Sequence, residues 1–115
     1  MISDDNTPRD LDEAIEHLKN GFGDRMIQHI LSSEEDDFVT ESHFSIGLDI
    51  RNNWRLWQGS TLSVWFNDRN IHHPDDMSGI ILTSLHRKLH NKVIDLKDQI
   101  KVYVDYWRKY DMNEK

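Results

Sequence analysis

Apolar residues recur every three or four positions along most of this chain, and each run is closed by glycine or by a polar cluster. That is the pattern of short amphipathic helices. Thr7-Pro8-Arg9-Asp10 reads as a helix start, with a hydroxyl at the N-cap and proline at the first helical position. Leu11, Ala14, Ile15, Leu18 and Phe22 follow on one face, and Gly21 and Gly23 end it. A second helix begins near Asp24 with Met26, Ile27, Ile30 and Leu31. It stops where Ser32-Ser33-Glu34-Glu35-Asp36-Asp37 breaks the period into an exposed acidic loop.

Between Thr40 and Gly59 two sets interleave: Ile46, Ile50, Trp54 and Trp57 on one face, and Phe44, Gly47, Leu48 and Arg51 on an adjacent one. So wide an apolar arc predicts a central helix with neighbours on more than one side, and Gly47 marks a close helix crossing. Ser60 caps a short helix carrying Leu62, Trp65 and Phe66, ended by Asn67-Asp68-Arg69-Asn70, with Ile71 tethering the loop. Pro74-Asp75-Asp76 starts another, whose Met77, Ile80, Ile81, Leu85 and Leu89 reach about His90. Asp95 caps a last helix with Leu96, Ile100, Tyr103, Val104 and Trp107 on its face. Only Lys92-Val93-Ile94 hints at a strand. The expectation is an all-α, compact single domain over residues 1–115, of five or six helices around a central Trp-bearing helix, with 1–6 and 111–115 frayed.

At 115 residues the chain fits one domain with a real core, and its 37% hydrophobic and 30% charged composition is that of a globular protein. The absence of cysteine excludes disulfides, a thiolate nucleophile and Cys-based zinc or iron–sulfur sites. The start Met1-Ile2-Ser3-Asp4-Asp5 lacks the basic, apolar form of a signal peptide, and no apolar run approaches the roughly 18 residues of a membrane span, so a cytoplasmic protein is expected. Charge is uneven. Residues 1–41 carry twelve acids against three bases, a net −9, and the remainder is +2. The acidic front disfavours nucleic acid and suits a partner protein with a basic surface.

Among residues that could carry chemistry, His86 and His90 stand four apart, but Arg87 and Lys88 between them oppose a cation and no glutamate follows His86, so helix-end histidines, partly exposed, are expected and no metal. His72, His73, Asp75 and Asp76 have the side chains of an acid–base or metal site, yet proline and two aspartates are also what helix initiation selects. Ser78 lacks a nucleophile-elbow context, and no glycine-rich phosphate loop exists. Arg51 and Arg55 share a helical face beside Trp54 and Trp57. A guanidinium can stack on indole and still fork onto a carboxylate, so Arg51 is expected to clasp Asp75 or Asp76.

The spacing Arg-Asn-x-Trp-x-Leu-Trp from Arg51 to Trp57, then His-Pro-Asp-Asp-Met-Ser-x-Ile from His73 to Ile80, then a helix ending near Leu85-His86-Arg87, resembles an uncharacterised bacterial domain-of-unknown-function family over roughly Pro8 to Trp107. The resemblance implies a stand-alone bacterial helical domain and carries over no catalytic residue or cofactor. Three functional expectations follow. The first is a non-enzymatic interaction domain, most concretely an acidic immunity-type inhibitor of a toxin, with Glu34, Glu35, Asp36 and Asp37 as its contact loop. The second is a small-molecule or anion site, or weak enzyme, centred on Arg51, Asn52, Trp54, His73, Asp75 and Asp76. The third is a homo-oligomeric scaffold using Trp65, Tyr106 and Tyr110 as exposed anchors.

Overall fold

The computed structural model describes residues 7–113, and their side chains as far as residue 111. These residues form α1 (Leu11–Gly21), α2 (Asp24–Ser32), α3 (Glu35–Ser42), α4 (Ile46–Asn53), α5 (Thr61–Asn67), α6 (Pro74–Leu89) and α7 (Leu96–Asn113), with no strand among them. The fold is all-helical, but with seven helices where five or six were expected. Fraying expected at 1–6 lies outside the described residues, as do 114 and 115; α7 continues through Asp111 to Asn113.

The central element is α6, not the Trp-bearing segment. All six other helices pack on it, and Met77, Ser78, Gly79, Ile80, Ile81, Leu82, Ser84, Leu85 and His86 are buried. Its sequence explains this: the run Met77–Leu82 has no long polar side chain on any face, and Ser78, Gly79 and Ser84 are small enough for neighbouring helices to approach closely. Leu11, Ala14 and Ile15 from α1, Ile30 from α2, Phe38 from α3, Ile50 from α4, and Leu62 and Phe66 from α5 complete the core around it, with Ile71 pinning the loop into α6.

The continuous helix expected over Thr40–Gly59 is instead broken at His43–Ser45, where Ser45 adopts φ −118°, ψ −89°, and α4 ends at Asn53. Arg55 then takes a left-handed φ of 55°, and turns run to Gly59. The break releases helix carbonyls, and one of them, that of His43, is taken by Arg51. Two expected core residues face outward, Phe44 within the break at 81% exposed and Trp57 in the turns after α4 at 60%. Gly47 is buried as expected, its α-carbon closed in by Arg51, the Ser42 carbonyl and Leu82.

Helix starts are read correctly at α5 and α6 and one turn early at α1. Ser60 Oγ accepts the Ser63 amide, and Pro74 occupies the first turn of α6. In α1 the cap is Asp10, not Thr7, because Asp10 Oδ1 reaches the Glu13 amide at 2.9 Å while Pro8 is buried ahead of the helix. The Ser32–Asp37 segment is no loop beyond Glu34: Glu35, Asp36 and Asp37 form the first turn of α3, where acids complement the helix dipole. No helix among the described residues is long and apolar enough to cross a membrane.

Candidate functional site

The residues singled out in the sequence divide among three places. The first is the α4–α6 contact. Arg51 is 3% exposed, and its guanidinium donates from Nη1 to Ser78 Oγ at 2.8 Å and from Nη2 to the His43 carbonyl at 3.0 Å, while Nε lies 3.4 Å from Asp75 Oδ1. The clasp expected between Arg51 and the start of α6 is therefore present, with Asp75 as its carboxylate. All three guanidinium nitrogens face oxygens of the fold, and the side chain is held as an internal brace. Asn52, by contrast, is exposed, and its side chain makes no hydrogen bond among the described residues. Trp54 is half-buried against His17, their ring centres 6.1 Å apart. The six-residue ligand set does not converge.

The second place is a cleft of about 590 Å³ between the entry to α6 and the end of α7. Here His73 stacks on the Trp107 indole at 3.8 Å, nearly parallel, and Trp107 Nε1 donates to Asp76 Oδ2 at 2.8 Å. Asn70, His72, Val104, Arg108, Tyr110 and Asp111 line the rest. Burial holds the Asp76 carboxyl above the usual carboxylate range, against the indole hydrogen bond and nearby His73, which lower it. Tyr103, one turn earlier on α7, has its phenol raised by burial and by Asp76, and its Oη lies 2.7 Å from where a Cβ on Gly79 would stand. His73 and Asp76 were expected to matter together; Trp107, which joins them, was read only as part of the face of the last helix.

The third place is the region of α2, α3 and α4. Glu34, Asp36, Asp37, Glu41 and Asp49 are exposed on these helices and their connections, as are Leu31, Phe44 and Leu48. A groove of about 430 Å³ runs through the region, lined by Met26, His29, Phe38, Glu41, Ser42, Ser45, Ile46 and Asp49, without lysine or arginine. His29 Nε2 and Glu41 pair across its rim. Glu35 does not belong to the exposed set: Arg87 Nε and Nη2 grip its carboxylate at 2.7 and 3.2 Å, which lowers the Glu35 pKa, and Arg87 Nη1 donates to the Ile94 carbonyl.

Two further expectations are corrected. His86 is not a partly exposed helix-end histidine but is 2% exposed, with Nε2 at 2.8 Å from the Ser33 carbonyl and Nδ1 without a partner. His90 stacks on it at 4.0 Å and directs its two nitrogens to the His86 and Leu31 carbonyls, so the pair ties α6 to the α2–α3 connection instead of converging on one ligand. Trp65 is not an exposed anchor either: it is half-buried, with the Arg69 guanidinium 3.7 Å over its ring.

Residues 7–89 match the family described as Domain of unknown function (DUF6794). The chain belongs to that family. The match ends with α6, so α7 and its half of the cleft lie beyond the shared region, which is shorter than the span to Trp107 expected from the sequence motifs. No curated protein and no solved structure matches the chain.

Proposed function

We propose that this domain is a non-enzymatic interaction module that docks a basic partner protein, most concretely as an immunity-type inhibitor covering the basic active site of a toxin. What supports this is the presence, on α2 to α4 and their connections, of exposed carboxylates together with exposed apolar side chains. Glu34, Asp36, Asp37, Glu41 and Asp49 are exposed on α3, α4 and the entry to α3, Phe44 between those helices is 81% exposed, and the groove lined by Glu41 and Asp49 contains no lysine or arginine. Exposed charge steers association and selects partners, whereas the apolar centre supplies residence time. Glu35, bound to Arg87, serves in this reading to hold α3 in place under the contact residues.

Co-expression with a basic protein encoded beside it tests the idea. A stable complex should form, weaken steeply with salt, and associate at least about tenfold more slowly when Asp36→Lys and Asp37→Lys are combined. Phe44→Ala should shorten its lifetime while leaving the fold intact. A complex indifferent to all three changes, or none at all, sinks the proposal.

A further inference from the structure

The cleft between α6 and α7 shares no lining residue with the groove of α2, α3 and α4, lies outside the family-matched region on its α7 side, and nothing in the proposed docking uses it. Its deepest polar group is Asp76. One carboxylate oxygen, Oδ2, is held by the Trp107 indole; the other, Oδ1, receives no hydrogen bond from the described residues. The carboxylate is half-buried, and burial is the largest influence on its titration. Around it stand aromatic groups. Trp107 is stacked by His73 on one side, and Tyr106 and Tyr110 meet it edge-on with ring centres 5.0 and 5.5 Å away.

We propose that this cleft is a binding site for a guanidinium or ammonium group, seated on the free oxygen of Asp76 against the Trp107–Tyr110 wall. Carboxylate and π-face together attract cations and repel anions, and a flat guanidinium suits both. The lining carries two carboxylates, Asp76 and Asp111, against one guanidinium, Arg108, with His72 and His73 beside them. The volume, about 590 Å³, is in the range of small-ligand sites and accommodates an arginine-sized molecule. Arg108 is the opposing feature. It is exposed, lines the cleft, and forms no ion pair among the described residues, so it competes with an incoming cation without filling the seat itself.

Calorimetric titration of the whole protein with arginine, N-methylguanidine and an acetylated, amidated arginine peptide tests this, with inorganic phosphate as the opposing probe. Saturable binding of guanidinium compounds is expected, weakened about tenfold by Asp76→Asn, which keeps the acceptor for Trp107 but removes the charge. Arg108→Ala gives the sharper readout: it lies at the exposed rim, away from the core, and should tighten guanidinium binding. Binding of arginine but not of the peptide points to the free amino acid; binding of both points to a side chain of another protein. Two results overturn the proposal: no saturable guanidinium binding by roughly 10 mM, or phosphate binding that Arg108→Ala abolishes.

Discussion

Arg51 Nη1 donates to Ser78 Oγ at 2.8 Å from a side chain almost wholly out of solvent, and Ser78 Oγ in turn donates to the Asp75 carbonyl at 3.0 Å. The chain of donors runs from α4 into the first turn of α6, so it fixes the register of the central helix against the broken α3–α4 segment. Asp75 is 58% exposed and adds little, as exposed ion pairs do; the buried hydrogen bonds to Ser78 and the His43 carbonyl matter more. Arg51→Ala should lower unfolding free energy by about 2–3 kcal/mol, and Arg51→Lys, which keeps the charge but not the fork, by about half as much. Urea unfolding followed by tryptophan fluorescence measures both; loss below about 0.5 kcal/mol for the alanine variant would show that the brace is idle.

Gly79 and Tyr103 make a steric prediction of unusual sharpness. A Cβ on Gly79 would stand 2.7 Å from Tyr103 Oη but 3.8 Å from Cζ, so the hydroxyl alone creates the conflict. Gly79→Ala should therefore destabilise by about 1–2 kcal/mol as α7 is pushed off α6. In a Tyr103→Phe background the same change should be neutral or stabilising by up to about 1 kcal/mol, since alanine is the better helix former. A double-mutant cycle reads the coupling; additive effects would mean that α7 does not pack at this distance.

Two carboxylates should respond to pH in opposite directions. Glu35 is held below the ordinary range first by its hydrogen bonds from Arg87, so its contribution is present above the unfolded-state value, near 4.5, and is lost as pH falls through the lower folded-state value. Glu35→Gln should cost stability at pH 7 and nothing in strong acid.

Asp76 is held above its ordinary value of 3.8 by burial, so the folded state favours its protonated form. Its contribution is complete below the unfolded-state value and disappears as pH rises through the folded-state value, leaving a charged, half-buried group at neutrality. Asp76→Asn preserves an acceptor for Trp107 and should raise the melting temperature at pH 7, with the gain vanishing near pH 3. A melting temperature lower at both pH values would refute this reading of the site.

Much of this arrangement is legible along the chain, and the exceptions have a common cause. Proline followed by two aspartates announces α6, glycines close α1, and the arginine on α4 finds Asp75, because each signal is local or follows from helical spacing. The choice between neighbours is not local. Asp75 and Asp76 are adjacent in sequence, yet one faces Arg51 and the other Trp107, which lies 31 residues further on. Helical period places an acid on a face but does not say which distant donor will arrive there. Glu35 is similar: within an acidic run it looks like one exposed charge among four until α6 brings Arg87 against it across 52 residues. The central position of α6 was missed because wide apolar arcs in two segments compete, and the kink at Ser45 turns Phe44 outward from one of them.

The family match stops at Leu89, which raises the question of whether α7 is an appendage or part of the folding unit. Its side chains argue for the second. Gln99, 9% exposed, donates to Ser84 Oγ and the Ile94 carbonyl; Trp107 holds Asp76; and the approach to the helix is tied by the Arg87–Ile94 bond. Removing α7 would uncover Gly79 and leave Ser84 and Asp76 without these donors, exposing a strip along the central helix to water. A chain ended after Lys92 should therefore unfold at least about 10 °C lower than the full chain, in line with the loss of a few kcal/mol from a domain of this size, or collect in aggregates. Equal melting temperatures by scanning calorimetry would show instead that α1 to α6 fold alone and that α7, with its half of the cleft, is an addition laid on a finished domain.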